Sequence, residues 1–206
     1  CPESYDVALL SAGGVLTAVD AISEGRVDNA FALVRPPGHH ARPSQGMGFC
    51  LFNNVAIAAR HASRERDLSR VLIVDWDVHH GNGTQEAFYE DGSVFYFSTH
   101  QHPLYPHTGL AGERGQGLGD GTTLNVPLPS WSGDDDYRRV FETQLVPAAE
   151  QFRPDLVLIS AGFDAHELDP LAGMEVTTEG FGVLTDIVRG IAEDMCGGRL
   201  VSALEG

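Results

Sequence analysis

Lysine does not occur in these 206 residues, and all 13 basic side chains are arginine. Against them stand 29 aspartates and glutamates, which leaves a formal net charge of -16. Binding to nucleic acid phosphates needs clustered basic groups. None is present, so direct nucleic-acid binding is not expected. An acidic surface instead steers cationic partners, or belongs to a salt-adapted protein kept in solution by its charge. Cysteine is scarce as well. Cys1, Cys50 and Cys196 stand without CxxC spacing, and an odd set cannot close a disulfide framework, so a reducing cytoplasm is the expected compartment. No run approaches the roughly 18 apolar residues of a membrane span, and no basic stretch followed by an apolar one opens the chain; no membrane partner is expected. Internal repeats, low-complexity tracts and linkers are missing too. A start at Cys1 and a stop at Gly206 straight after an apolar strand are what a piece of a longer protein would show.

What is present is 42% hydrophobic content, enough to bury the core of one α/β domain. Val7, Leu10, Leu16, Val19 and Ile22 recur at near-helical spacing before Gly25, which predicts a helix over residues 4–24. "FALVR" (31–35) reads as a short buried strand broken by Pro36, Pro37 and Gly38. A helix over 54–65 follows. Next come "RVLIVDWDV" as a strand, "GTQEAFYE" as a short helix and "SVFYFST" as a strand. A Gly- and Pro-rich loop covers 101–121. "TLNVPL", "DLVLISAGFD" and "RLVSALEG" complete the strands, with helices over 134–152 and 178–194 between them. Strands apolar on both faces and alternating with helices indicate a parallel sheet covered on each side, a three-layer α/β/α fold.

Ligands of such sheets sit at the carboxyl ends of the strands, and each polar cluster of this sequence lies at one. His39 and His40 follow the first strand. The group from Asp75 to Asn82 ends "VLIVD", Ser98 to His100 end "SVFYF", and Asp164 with His166 ends "LVLISAGF". Buried carboxylates and imidazoles are costly unless paired or metal-bound. Asp77 and His79 are two apart, which on an extended strand points both the same way. Asp164 comes from another strand. Two carboxylates and one imidazole make a three-ligand set for a catalytic divalent ion with an open position; a hydrogen-bonded buried network is the competing reading. A histidine beside a metal needs an orienting partner on its other nitrogen, and Asp75 and Asn82 are available to His39 and His40.

"RPPGHHA", "GFCLFNNVAIAARHA", "VLIVDWDVHHGNGTQEAFYED" and "LISAGFDAHELDPLAG" together resemble the zinc-dependent histone deacetylase family, on its class II side with the bacterial and archaeal amidohydrolases. The resemblance runs over nearly the whole chain. It implies the arginase–deacetylase fold and one partial catalytic domain over residues 1–206 that hydrolyses N-acetyl amides, with an acetylated lysine side chain of a protein or peptide, or a small acetylated amine, as partner. It makes Asp77, His79 and Asp164 the ligands of one Zn2+ and His39 and His40 the catalytic pair, with Asp75 and Asn82 behind them and His40 as general acid and base. Gly48, Phe49, Tyr105 and Leu171 become the substrate tunnel. The family also binds K+ or Na+. Asp75, Asp77, His79, Ser98 and Thr99 match one such site, and Phe88, Asp91 and Val94 a second.

The sequence departs from the family at three points. His107 stands where glycine is commoner, His80 beside the ligand pair is not itself a zinc ligand, and the family's "LEGGY", whose tyrosine helps stabilise the oxyanion, is met only as far as "LEG". Polyamine-specialised relatives carry a glutamate where Leu171 stands, which favours acetyl-lysine or a small apolar amide. The alternatives are an acetylpolyamine or small-amide amidohydrolase, a two-manganese guanidine hydrolase of the same fold, and a catalytically weak acetyl-lysine-binding module.

Overall fold

The computed structural model describes residues 1–206. The elements run α1 (Ser4–Ser23), β1 (Asn29–Ala32), α2 (Asn54–Glu65), β2 (Val71–Asp75), α3 (Asn82–Phe88), β3 (Val94–Gln101), a 3₁₀ turn (Gly117–Gly119), β4 (Thr123–Leu128), α4 (Asp134–Val140), α5 (Val146–Phe152), β5 (Leu156–Ala161), α6 (Thr178–Cys196) and β6 (Leu200–Leu204). Six strands form one sheet in the order β1-β6-β5-β2-β3-β4, and every neighbouring pair is parallel. β2, β3 and β5 are buried along their whole length, which explains their unbroken apolar runs.

Alternation along the strands separates two cores. Val71 and Ile73 of β2, with Leu156 and Leu158 of β5, pack under Val15, Val19 and Ile22 of α1 and the alanine-rich face of α2. Leu72, Val74, Val157 and Ile159 face the other way, onto Tyr137, Phe141, Leu145, Leu184 and Val188. The result is the three-layer arrangement expected. α2 begins on Asn53, whose side chain accepts the Ala56 N–H, and α6 on Thr177, which accepts that of Gly180; each such cap contributes about 1 kcal/mol. Contrary to expectation, α1 has the length and apolar composition of a membrane span, with Ser11, Thr17 and Asp20 interspersed among its apolar residues.

Several boundaries differ from expectation, among them the end of β5, which is Ala161 and not Asp164, and the following three. β1 is Asn29–Ala32 and not 31–35, because pairing with β6 starts at Asn29 and Pro36 and Pro37 have no N–H to continue it. β2 stops at Asp75, so the residues from Trp76 to Gly81 are turn and not strand. The helix over 134–152 is interrupted by a π-helical turn, Phe141–Leu145, just ahead of Pro147, which cannot donate the regular bond back to residue 143.

Candidate metal and histidine site

The parallel register lines up the polar strand ends. Asp75 stands opposite Ser98 of β3 on one side and Ser160 of β5 on the other, and the turns that follow carry the remaining groups to this edge. Asp77 and His79 do converge, but through a turn and not through strand alternation. The Asp77 carboxylate accepts the His79 N–H at 2.9 Å and lies 3.0 Å from His79 Nδ1. Asp164, three residues past β5, accepts the Val78 N–H at 2.9 Å, and its other oxygen lies 3.0 Å from the same Nδ1. One imidazole nitrogen thus faces two carboxylates, and the three ligand atoms lie within 4.8 Å of one another. This donor set suits a divalent cation with an open position. Burial opposes charge on His79, but its bonds to Asp164 and Asp77 raise its pKa to about 9. Asp77 is held well below the usual carboxylate range by the His39 and His79 charges despite its burial, whereas burial and the Asp77 charge push Asp164 up.

His39 and His40 lie beside this cluster, with their ring centroids 4.0 Å apart. His39 Nδ1 is 3.1 Å from an Asp75 oxygen that also accepts the Tyr96 hydroxyl at 3.0 Å, and His39 Nε2 faces Asp77 at 3.8 Å. Burial alone would lower the His39 pKa, but the charges of Asp77, Asp75 and Glu205 outweigh it and hold this imidazole well above its ordinary value. His40 Nδ1 sits 2.9 Å from the Asn82 side-chain oxygen. Burial and the charge on His39 lower its pKa to about 3. The two neighbours are therefore shifted in opposite directions: carboxylates outweigh the burial of His39, whereas the neutral Asn82 amide does not offset burial and the His39 charge at His40. Space here is tight: a Cβ on Gly81 would come within 2.2 Å of the Asp75 carboxylate, and one on Gly48 within 2.3 Å of the His40 ring.

A cavity of about 230 Å³ opens over the two clusters, and Gly48, Phe49, Tyr105, Asp169 and Leu171 are among its walls. Phe49 is 90% exposed and adopts φ of +63°, directly after Gly48 at +56°. Such a conformation is strained for a side-chain-bearing residue and is characteristic of functional loops. The Tyr105 ring stands edge-on to His40, with centroids 5.1 Å apart.

The other expected residues fall around this centre. Ser98 and Thr99 are fully buried beside Asp75; Ser98 Oγ is 2.9 Å from His100 Nδ1, and Thr99 Oγ1 has no hydrogen-bond partner. Asp91, between Phe88 and Val94, is engaged by Arg60 and Ser93. His80 points away from the ligand cluster, to Thr108 and Gln85. His166 bonds to Thr178 and stays outside the centre. His107 is exposed at φ of +65°, a conformation in which glycine carries no Cβ penalty. Sequence reasoning missed Tyr96 and Glu205. Glu205 is fully buried, and its pKa is raised to about 7 by burial against the pull of His39. A carboxylate at the end of an apolar strand was the available signal.

A six-stranded parallel sheet with carboxylates and imidazoles gathered at its carboxyl edge is the architecture of the arginase–deacetylase fold. Within that class the chain belongs to the histone deacetylase family, whose domain model, "Histone deacetylase domain", matches residues 1–206. Histone deacetylase 10, chloroplastic, of Oryza sativa is 52% identical over 98% of this chain and 47% of its own length. The histone deacetylase-like amidohydrolase of Pseudomonas aeruginosa is 45% identical over 100% of this chain and 54% of its own. The crystal structure of the HDA15 HD domain superposes with a TM-score of 0.89 at 47% identity, over 97% of this chain and 58% of that one. The chain thus spans about half the length of the relatives it matches.

Proposed function

We propose that residues 1–206 form one partial catalytic domain of a zinc-dependent deacetylase acting on N-acetyl amides of the acetyl-lysine type. The observation that carries this reading is the meeting of the Asp77, His79 and Asp164 cluster with the His39 and His40 pair under one cavity that opens between Phe49 and Tyr105. Zinc held by those three residues supplies Lewis-acid polarisation of the acyl oxygen and of water. The chain's own groups move the protons. A side-chain carbonyl oxygen fixes the proton of His40 on Nδ1, so Nε2 carries the free lone pair. That nitrogen takes the proton of the water attacking the acyl carbon and returns it to the departing amine. His39, held by Asp75, keeps a positive charge beside the developing negative one. The apolar walls pass an aliphatic stem, and Leu171 at the rim offers no carboxylate to a polyamine. K+ or Na+ at Asp75, Ser98 and Thr99 fits the unpartnered Thr99 hydroxyl, and a reducing cytoplasm accords with three free cysteines.

The test is hydrolysis of a fluorogenic acetyl-lysine amide by the full-length protein, with metal content measured on the same sample. One zinc per chain and turnover lost in His40→Ala are expected. Two manganese ions per chain, or acetylspermidine greatly outperforming acetyl-lysine, would overturn the assignment.

A further inference from the structure

Glu205 stands one residue past β6 and is fully buried. The side chain of Arg35 bonds to its backbone carbonyl, not to its carboxylate. One carboxylate oxygen accepts the Gly38 N–H at 2.6 Å and the His39 N–H at 3.1 Å. The other accepts the Ser160 hydroxyl at 3.1 Å. Burying a carboxylate on two amides and one hydroxyl is costly unless the placement it enforces is needed.

The placement concerns the histidine loop. Pro36 and Pro37 have no N–H, so Gly38 and His39 supply the first amides of the turn that carries the imidazoles. On its carbonyl side the loop is held at Pro36 by Ser11 and Asn54, and at His39 by the Gly83 and Thr84 amides that open α3. On its amide side the only partner of Gly38 and His39 is Glu205. The next residue, Gly206, donates its N–H to Asp77 at 3.0 Å. Two consecutive residues at the end of β6 therefore fasten the histidine loop and a carboxylate of the metal cluster to one another.

We infer that Glu205 is a positioning residue for the hydrolysis, its carboxylate fixing the Gly38–His39 backbone and through it the distance of both imidazoles from Asp77; this rests on the deacetylase reading above. What matters is acceptor geometry. A glutamine can turn its carbonyl oxygen to the two amides and its amide nitrogen to the Ser160 hydroxyl, whereas an aspartate keeps the charge but withdraws it by one methylene.

Glu205→Gln, Glu205→Asp and Glu205→Met, made in the full-length protein, separate the two. Glu205→Gln is expected to keep kcat within about threefold, while Glu205→Asp and Glu205→Met lose 10- to 100-fold, the scale of leaving a buried donor unpaired. KM and metal content should stay within about twofold, because Gly48, Phe49, Tyr105 and Leu171 of the cavity wall and the three candidate metal ligands are unaltered. Hydrogen exchange at the Gly38 and His39 amides should be unchanged in Glu205→Gln and at least about tenfold faster in the other two. A normal kcat in Glu205→Asp with a collapsed one in Glu205→Gln would overturn the inference in favour of charge. It fails equally if kcat falls in Glu205→Gln while the two amides stay protected, or if all three variants keep both kcat and exchange. If the wild-type protein hydrolysed no acetyl amide, the deacetylase reading would fall, and the exchange measurement would still decide whether Glu205 holds the loop.

Discussion

Replacing Asn82 by aspartate tests the assignment of His40 as a neutral base at one atom. Asn82 is the first residue of α3, and its side-chain oxygen lies 2.9 Å from His40 Nδ1. The substitution changes one terminal atom, and a helix N-terminus tolerates the new negative charge. Carboxylate and imidazolium charges about 4 Å apart, at an effective dielectric of about 20, attract by about 4 kcal/mol, close to three pKa units. His40 starts at about 3, so the variant should titrate near 6 on that scale. A protonated base is inactive; raising its pKa therefore moves the acidic limb of the rate profile to higher pH. The assay is kcat/KM on the acetyl-lysine amide from pH 4.5 to 9, with metal retention checked at each point. At pH 5 the variant should run about tenfold below wild type, one protonation unit under its new pKa, and should approach it above pH 7. An unmoved acidic limb, with metal retained throughout, would show that His40 is not the base or that Asn82 does not set its charge.

Asp77→Ala, His79→Ala and Asp164→Ala should each abolish metal retention measured by mass spectrometry, since each removes one of three donors, whereas His40→Ala should keep the metal; the reverse pattern would exchange the roles. Metal uptake at pH 7 should expel about one proton, read by calorimetry in buffers of different ionisation heat, because His79 is protonated below about 9 in the empty site and must be neutral to bind. Apparent affinity should then fall about tenfold per pH unit below that value, and zero proton release would contradict a charged His79. Gly81→Ala should destabilise by about 1–3 kcal/mol through overpacking and lower the melting temperature by about 2–4 °C for each of them. Its methyl would lie 2.2 Å from the Asp75 carboxylate and 2.6 Å from the Tyr96 hydroxyl, so unchanged melting and turnover would place the His39–Asp75 pair elsewhere.

Much of this centre is legible in the sequence, because a polar residue closing an apolar parallel strand has few inexpensive explanations. That logic reaches Asp75 and Ser98 directly, whereas Asp164 lies three residues past β5. It reaches Asp77 and His79 by a geometry the chain does not have: β2 has ended two residues before Asp77, and a turn held by the Asp77 carboxylate brings the pair together. Tyr96 stays hidden because its hydroxyl meets Asp75 only through the register of β2 on β3, which no local pattern encodes. Read by composition, it is one more core aromatic. The left-handed Phe49 is equally silent, since "GFC" gives no sign that the residue after Gly48 shares its backbone conformation.

The charge pattern around the two histidines follows from what backs each ring. Burial lowers the pKa of both rings; at His39 the charges of Asp77 and Asp75 outweigh it, whereas at His40 the charge on His39 adds to it and one neutral amide does not offset it. The pKa values of adjacent residues in one loop are thereby shifted in opposite directions, the kind of separation that acid–base chemistry at a single pH uses. It depends on the imidazole centroids staying 4.0 Å apart, since His39 depresses the pKa of His40 only at close range. A loop free to shift on its amide side would weaken that coupling. On the inference above, the buried carboxylate that receives the Gly38 and His39 amides is thus tied to the pKa of His40 through the backbone of the loop.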